Sequence, residues 1–410
     1  MQGMKSENIL RHSGFMRLLA GSSATLLGDQ FTMIAIPWLV LHLTHDSMVL
    51  GTVMACVGFP RVALLLVAGV LVDRYSPRAA LMASSLIGAI VLSVFGTLVL
   101  AHAMTVHWMY VFAAVMGVVG SFTIPARMSM LPRLVEPAQL QAANSMMMAA
   151  SQGSILIGPI LAGLLSATQK GLGVAFLVDG VCFLIAAVTV PRVPAHTASE
   201  PGTEVRLLTS VFDGIKWLCS DRTLRTLTCY WAMAALIASG PVQVGLPILV
   251  QQQLGMGSAV FGVLISVNGF GQLAGVALSG LRLLKAIPLG IAVCMIDLIA
   301  GLAMFGMGVN HLLAVSVALM LTLGMGMGFV QVSLYTWIQN RIPKQMLGRI
   351  VSILTLIMTG VSPLSALLTG VLTHYISMPQ LFVIGGGLLS SLALLSMLMS
   401  RTIRSVQAVS

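Results

Sequence analysis

The sequence predicts an all-α integral membrane protein with twelve transmembrane helices. Of its 410 residues, 58% are hydrophobic and 8% are charged, and the mean hydropathy is +1.00. Such a composition excludes a water-soluble globular domain, because lipid is the solvent that tolerates this much apolar surface. At about 20 residues per span, twelve spans use roughly 240 residues, which leaves enough chain for short loops and one linker.

Apolar runs between charged residues and turn signals define each helix in order. The first run follows a few charges and lacks a small-residue cleavage site, so we expect helix one of the mature protein rather than a signal peptide. The twelve predicted helices occupy residues 14–43, 47–72, 78–102, 106–131, 139–168, 172–191, 223–252, 258–281, 285–308, 311–338, 346–374 and 379–400.

A charged segment separates the sixth and seventh predicted helices. Nine of the 32 charged residues lie between 192 and 225. We therefore predict an N-terminal six-helix bundle (1–191), a cytoplasmic linker (192–222) and a C-terminal six-helix bundle (223–410). Apolar residues recur at helical spacing within the linker and predict an amphipathic helix on the inner membrane face; the alternative is a simple connector. These apolar residues are Leu208, Val211, Phe212, Ile215 and Leu218.

The basic residues predict the topology. If the N-terminus is cytoplasmic, 19 of the 21 Lys and Arg fall on the cytoplasmic side, whereas Lys170 lies in an external loop and Arg61 inside a span. This asymmetry follows the positive-inside rule and places both termini in the cytoplasm. Because the charges do not form a groove-binding patch, no nucleic-acid partner is expected.

The positions of the cysteines and histidines predict neither disulfide bonds nor a metal site. The five cysteines contain no CxxC pair and do not cluster with the eight histidines. Neither a disulfide framework nor a zinc site is supported, and no bound cofactor is expected.

The two halves of the chain resemble each other. Residues 36–40 (Ile-Pro-Trp-Leu-Val) correspond to 246–250 (Leu-Pro-Ile-Leu-Val), an offset of 210. A nearly constant offset across six helices indicates duplication, and an even helix number makes the repeats parallel, so we expect two bundles around a central cavity. At an offset of 211, Ser47, Gly51, Phe59, Gly69 and Pro77 match Ser258, Gly262, Phe270, Gly280 and Pro288.

A motif follows the second predicted helix and consists of Gly69, Asp73, Arg74 and Arg78. We expect close helix packing at Gly69 and a hydrogen bond or ion pair from Asp73. With the six-plus-six repeat, this spacing resembles the loop motif of the major facilitator superfamily over essentially the whole chain, although Ser and Pro at 76 and 77 depart from it. The resemblance implies the major facilitator fold and a latch between the bundles; the alternative is a surface loop.

The fifth predicted helix contains Gly153, Gly158, Pro159 and Gly163, with Ala162 where a further glycine is usual. Small residues permit close helix approach, and the proline removes a backbone donor. The pattern is similar to the antiporter motif of proton-coupled exporters in the same superfamily. Small-residue spacing of this kind is also common in membrane helices generally.

Further segments resemble one group of exporters within this superfamily. Gly28-Asp29, the stretch 36–40, Pro125-Ala126-Arg127 and the stretch 131–135 are similar to exporters that include enterobactin-type siderophore exporters and macrolide efflux pumps. This implies a monomer in the bacterial cytoplasmic (inner) membrane that exports a small amphipathic compound by proton antiport. The alternative is a lipid or lysophospholipid translocase. An enzyme is not expected, because no nucleophile-base constellation or phosphate-binding loop is present.

Four ionisable residues fall deep within predicted helices: Asp29, Arg61, Asp179 and Asp297. An unpaired charge at the bilayer centre costs at least about 2.5 kcal/mol, so each needs a partner or a function. Asp29 and Arg61 reach similar depth on adjacent helices, so we hypothesise a proton acceptor at Asp29 with Arg61 tuning it or meeting the substrate; the alternative is a structural ion pair. For Asp179 and Asp297 we expect helix-packing hydrogen bonds.

Polar and aromatic residues in the central helices complete the candidate substrate site, because such groups orient a largely apolar ligand. For each of them, an interhelical hydrogen bond or an interfacial aromatic is the alternative. The candidates are Gln30, Trp38, Gln152, Gln243, Asn268, Gln272, Gln331 and Trp337.

Overall fold

The computed structural model describes residues 9, 12–74, 76–168, 170–192, 214–280 and 288–404, except the side chains at 66, 70, 73, 344, 345 and 348. The described residues are almost entirely helical. The α-helices are α1 (Ser13–Thr44), α2 (Ser47–Arg74), α3 (Pro77–Leu100), α4 (Val106–Leu134), α5 (Leu140–Ser166), α6 (Gly171–Thr189), α7 (214–220), α8 (Arg222–Gly240), α9 (Leu246–Gln252), α10 (Ser258–Ser279), α11 (Leu289–Val309), α12 (Leu313–Arg341), α13 (Lys344–Leu372), α14 (Met378–Met399) and α15 (Arg401–Arg404).

Within the described ranges, twelve helical segments are long and apolar enough to cross a membrane, which confirms the predicted number of spans. The fifth span includes a short 3-10 turn before α5, and the seventh joins α8 and α9 through a π-helical turn, Pro241–Gly245. Predicted and observed ends agree within about four residues, because charges and turn residues mark the ends of apolar runs.

The π-helical turn interrupts a span for which the sequence predicts one continuous helix. Pro241 has no backbone N–H and cannot continue an α-helical ladder. Beside it, the hydroxyl of Ser365 on α13 accepts a hydrogen bond from Gly240 N–H (2.7 Å) and donates one to the Leu236 carbonyl (2.6 Å). That N–H and carbonyl would otherwise pair with each other, so a side chain from another helix is inserted into the α8 ladder.

Polar residues cap several helices. Asp221 precedes α8 and accepts hydrogen bonds from the backbone N–H groups of Thr223 (2.8 Å) and Leu224 (3.1 Å). It also pairs with Arg341 at the end of α12, at 3.0 Å. Burial alone raises the pKa of Asp221, but hydrogen bonds from Leu224, Arg341 and Thr223 outweigh it and lower this pKa below its usual range. Asp221 thus ties the start of α8 to the end of α12.

Contacts divide the chain into two compact units. Unit 1 comprises Met1–Leu39 and Phe59–Pro201, and unit 2 comprises Val40–Gly58 and Gly202–Ser410. The predicted N-terminal bundle of residues 1–191 includes the stretch 40–58, which these contacts group with unit 2. A Cβ at Gly51, in this stretch, would lie 2.6 Å from the backbone oxygen of Ala366 on α13. Only glycine permits this close approach of two backbones.

Unit 1 is packed through glycines. Two glycines spaced seven residues apart on α1 face α6: a Cβ at Gly21 would lie 3.1 Å from Ala186 Cα, and one at Gly28 would lie 2.8 Å from Cys182 Cβ. Gly14, seven residues earlier, faces Leu134 at the end of α4 instead, where a Cβ would lie 3.1 Å from Leu134 Cδ2. This spacing keeps one face of the helix free of side chains, so α1 lies directly on the α6 backbone.

Unit 2 uses the same device. Glycines on α10 and α12 contact each other's backbones, so that a Cβ at Gly271 would lie 3.0 Å from Met325 N. A Cβ at Gly301 on α11 would lie 2.7 Å from Gly386 O on α14. Without a hydrophobic driving force between helices in lipid, such close contacts are a main source of association.

The linker prediction is only partly covered by the structure. Leu208, Val211 and Phe212 lie outside the described residues, which resume at α7. Within α7, Ile215 is exposed, whereas Leu218 is 6% exposed and belongs to a buried cluster of unit 2. This described part of the linker therefore packs against protein along one face.

Candidate functional site

Asp29 lies midway along α1, within unit 1. This residue is exposed, whereas Gly28 before it is buried. Electrostatic interactions connect its carboxylate with the guanidinium groups of Arg61 and Arg127 and with the carboxyl of Asp179. Among the described residues, it forms no ion pair at contact distance. The predicted neighbourhood of Asp29 and Arg61 is present, but their direct pairing is not observed.

Arg61 extends from α2 toward α4. A Cβ at Gly120 of α4 would lie 2.7 Å from Arg61 Nη2 and 2.8 Å from its Nε, so the absence of a side chain at Gly120 makes room for the guanidinium. The Nε atom is buried and finds no hydrogen-bond partner in the described part of the chain. Arg61 therefore places a cation with an unsatisfied donor inside a span, a costly arrangement that marks functional sites.

Arg127 is a site residue that sequence analysis placed with the cytoplasmic charges. In the structure, Arg127 lies about two turns before Leu134, the last residue of α4. Its side chain is half-buried and interacts electrostatically with Asp29. The apolar residues Met130 and Leu131, both buried, are the sequence signal that the helix continues past Arg127.

Asp179 on α6 contributes the second carboxyl. It is fully buried, and its Oδ2 accepts a hydrogen bond from the Thr32 hydroxyl on α1. This confirms the helix-packing hydrogen bond predicted for Asp179. The same holds for Asp297 on α11, whose Oδ2 accepts a hydrogen bond from Tyr230 Oη at 2.7 Å.

The resulting cluster contains two carboxyls and two guanidinium groups from α1, α2, α4 and α6. One carboxyl, Asp29, is exposed, whereas the other, Asp179, is enclosed by α1 and α6. Neighbouring cations favour the ionised form of a carboxyl and a neighbouring carboxylate opposes it. An exposed acid within such a mixed field is chemically suited to take up and release a proton.

The predicted polar candidates of unit 1 occupy intermediate positions. Gln30 and Gln152 are half-buried, as is Trp38. Gln30 packs against α5, because a Cβ at Gly158 would lie 2.5 Å from its Cγ. Gln30 follows Asp29 directly and is therefore the predicted candidate nearest to the charged cluster in sequence.

The candidates of unit 2 mainly make interhelical hydrogen bonds. Asn268 donates from Nδ2 to the Met320 carbonyl (3.1 Å), and Gln272 donates from Nε2 to Asn268 Oδ1 (2.9 Å). Gln243, in the π-helical turn, is exposed and donates to Ser362 Oγ (2.7 Å). Asn268 therefore connects α10 with α12, as the structural alternative expects, whereas the Gln272 bond lies within α10 and orients the Asn268 side chain.

Trp337 does not support the prediction of a substrate-contacting residue. It is 6% exposed within a hydrophobic cluster of unit 2, and the Arg341 guanidinium lies 5.4 Å from its ring centroid. Its position near the end of α12 suits packing and a cation–π contact. Gln331, in contrast, is exposed on the same helix.

The predicted latch has a local explanation in helix capping. The Ser76 hydroxyl accepts a hydrogen bond from Ala79 N–H (3.2 Å) and so caps α3, which begins at Pro77. Asp73 does not cap this helix, because it lies in the last turn of α2, which ends at Arg74. The Asp73 side chain lies outside the described residues, Arg74 is exposed and Arg78 is half-buried. A Cβ at Gly69 would meet no described atom within 4 Å, so the described residues give no example of the close packing predicted there.

The glycines of the antiporter-like motif on α5 differ in how closely they are packed. Gly158 lies against Gln30, whereas a Cβ at Gly153 would meet no described atom within 4 Å. Pro159 and Gly163 are buried. The expectation of close helix approach therefore holds at Gly158 and fails at Gly153.

Comparison with known proteins places this arrangement in a family. The family model of the Major Facilitator Superfamily matches residues 18–366. The chain is 26% identical over 397 residues to the uncharacterised MFS-type transporter YfiS of Bacillus subtilis, covering 94% of this chain and 93% of that protein. It is 26% identical over 385 residues to the multidrug efflux pump Tap of Mycobacterium tuberculosis, covering 90% and 88%.

More distant relatives agree on the fold. The chain is 22% identical over 378 residues to the staphyloferrin A transporter of Staphylococcus aureus, covering 90% of this chain and 91% of that protein. The crystal structure of the nucleoside transporter NupG aligns with a TM-score of 0.74 at 15% identity, covering 94% of this chain and 99% of that one. The chain thus belongs to the major facilitator superfamily, as a multi-pass membrane transporter of small molecules and not an enzyme.

Proposed function

We propose that this transporter exports small amphipathic compounds in exchange for protons and that Asp29 carries the proton. The carrying observation is the exposed carboxyl of Asp29 within a span, in the electrostatic field of Arg61, Arg127 and Asp179. Protonation of Asp29 leaves the two guanidinium charges less compensated, and deprotonation restores the balance. Such a change in charge is the kind of event that biases one conformation over another.

The proposed substrate class is that of drugs, macrolides and siderophores. It is supported by relatives described as a multidrug efflux pump and a staphyloferrin A transporter. The half-buried side chains of Gln30, next to Asp29 in the chain, and of Gln152 on α5 supply hydrogen-bonding groups. Such sparse polar groups orient a ligand whose binding is otherwise apolar.

The proposed setting is the bacterial cytoplasmic membrane, with both termini in the cytoplasm and a functional monomer. The strongly one-sided distribution of Lys and Arg supports this orientation. Alternating access by two bundles explains the internal repeat. Gly69, Asp73, Arg74 and Arg78 are proposed to control switching between states.

The test uses the purified chain in vesicles that contain a pH-sensitive dye. A panel of macrolides, siderophores and hydrophobic cations is added to wild type, to Asp29→Asn and to Asp297→Asn. The Asp297 variant is a matched control, because an amide oxygen still accepts the Tyr230 hydrogen bond. We expect substrate-dependent proton movement in wild type and in the control, and its loss in Asp29→Asn with an unchanged melting temperature.

Two outcomes would overturn the proposal. Undiminished proton flux in Asp29→Asn would remove Asp29 as the carrier. If no compound in the panel moves protons but a labelled lysophospholipid crosses the bilayer, the chain is a lipid translocase instead.

A further inference from the structure

The Asp179 carboxyl on α6 is enclosed by helices of unit 1. The residue is fully buried, and its Oδ2 accepts a hydrogen bond from the Thr32 hydroxyl on α1. Its Oδ1 is also buried and finds no hydrogen-bond partner in the described part of the chain. Gly28 covers this side of the carboxyl, since a Cβ there would contact Oδ1. An ionised carboxylate has about four acceptor positions, and only one of them is used here.

The charged groups around Asp179 offer its carboxylate no compensation. Among the described residues, no basic side chain forms an ion pair with it. The ionisable groups that interact with it are the carboxyl of Asp29 on α1 and the thiol of Cys182, three residues further along α6. Of the other helices packed against α6, α5 has no charged residue, and α3 is charged only at Arg78, about three turns before the stretch that contacts Gly180.

The two carboxyls of the cluster therefore differ in which form their surroundings stabilise. A negative charge on Asp179 would be buried, poorly hydrogen-bonded and near a second carboxylate, and each of these conditions favours the neutral acid. Asp29 is exposed and interacts with the guanidinium groups of Arg61 and Arg127, which stabilise its carboxylate. In this conformation the negative charge thus lies on Asp29 and a proton on Asp179.

Helix packing alone does not account for an acid at this position. An asparagine would accept the same hydrogen bond from Thr32 without introducing an ionisable group. An ionisable residue enclosed within a span is costly and is a candidate for function. Its electrostatic interaction with Asp29 indicates what that function is.

We propose that Asp179 is a second proton-binding residue and gives up its proton when Asp29 takes one up. An O–H bond forms at Asp29 while the O–H bond at Asp179 breaks and its proton passes to solvent. Two protonation events are linked in this way when two carboxyls interact strongly. The pair keeps one proton and one negative charge, so the charges of Arg61 and Arg127 stay compensated. The role in transport rests on the proposed function, whereas the linkage between the two carboxyls does not.

The first test follows the infrared band of the protonated carboxyl in the purified full chain as the pH is raised. At neutral pH we expect a band that is absent in Asp179→Asn and changes frequency in Thr32→Val, which removes the hydrogen bond to Oδ2. Tyr230→Phe is the matched control, because it removes a hydrogen bond to Asp297 instead and should leave this band unchanged. In Asp29→Asn, the Asp179 band should be lost at least about one pH unit below wild type, the strength of coupling at which two sites titrate as a pair.

The second test compares two transport rates in vesicles. With a labelled panel compound that wild type transports, Asp179→Asn should retain exchange of substrate for substrate, which moves no net protons. Its substrate-dependent proton flux should fall about a hundredfold, the effect of losing a positioned proton-transfer group. A purely structural role would lower both rates alike.

Several results would overturn the proposal. One is the absence of a protonated-acid band that responds to both Asp179→Asn and Thr32→Val, and another is loss of this band at the same pH with and without Asp29. Undiminished proton flux in Asp179→Asn, or an equal fall in both transport rates, would also overturn it. If wild type moves no protons with any compound, the proposed function fails, and the infrared titration still decides whether the two carboxyls are linked.

Discussion

The Ser365 hydroxyl is inserted into the hydrogen-bond ladder of α8. Removing it tests whether this insertion stabilises the π-helical turn of the seventh span. Ser365→Ala removes the hydrogen bond from Gly240 N–H at 2.7 Å and the one to Leu236 O at 2.6 Å. Ser365 is 1% exposed, so water does not readily replace the hydroxyl. Two lost bonds at about 0.5–1.5 kcal/mol each predict a destabilisation of about 1–3 kcal/mol.

The assay combines hydrogen exchange with thermal unfolding. We expect amide exchange across 236–245 to rise about tenfold, equivalent to 1.4 kcal/mol of local stability, and the melting temperature to fall. Ser362→Ala is the control on the same helix, because its hydroxyl accepts only from the exposed Gln243 side chain. Wild-type exchange and melting temperature in Ser365→Ala would refute the inserted-hydroxyl explanation of the π-helical turn.

Two further predictions concern packing on α5 and the charge that caps α8. Gly158→Ala places a Cβ 2.5 Å from Gln30 Cγ, and this overpacking should lower the free energy of unfolding by about 1–3 kcal/mol. Gly153→Ala places its Cβ in open space and should raise the free energy of unfolding by about 0.5–1 kcal/mol, because alanine favours a helix over glycine. The melting temperature should therefore fall for the first variant only, and an equal fall in both would contradict the packing argument. Because the folded-state pKa of Asp221 is lowered, its contribution to the unfolding free energy is fully present above about pH 4 and is lost as the pH falls through that lowered value. Arg341→Gln removes one cause of the lowered Asp221 pKa, so the melting temperature of this variant should change less between about pH 6 and pH 3 than that of wild type. The same change with pH in both proteins would refute this.

The number and order of spans could be predicted from the sequence because the requirement is local. A span needs about 20 apolar residues, and its ends are marked by charges and turn residues. Sequence reasoning likewise identified Asp29 and Arg61, since an ionisable residue deep in an apolar run is conspicuous without any knowledge of its neighbours. The family followed from local motifs and from the repeat.

Which helix faces meet was decided by the tertiary structure. Asp179 reaches the Asp29 cluster because Gly28 brings α1 against α6, and these residues lie about 150 positions apart in the chain. The glycine spacing of seven on α1 signals a packed face but does not identify its partner. Arg127 joined the site only through its electrostatic interaction with Asp29, a residue of another helix.

The interruption of the seventh span likewise could not be predicted in full from the sequence. Pro241 signals a disturbance in the sequence, but the hydroxyl that satisfies the opened ladder comes from α13, more than a hundred residues later. Backbone hydrogen bonds in lipid must be satisfied within the protein, and the chain does so here with a distant side chain. Composition and periodicity show which segments span the membrane and which polar groups require a hydrogen-bond partner. The residue that supplies the partner is determined only when the helices pack.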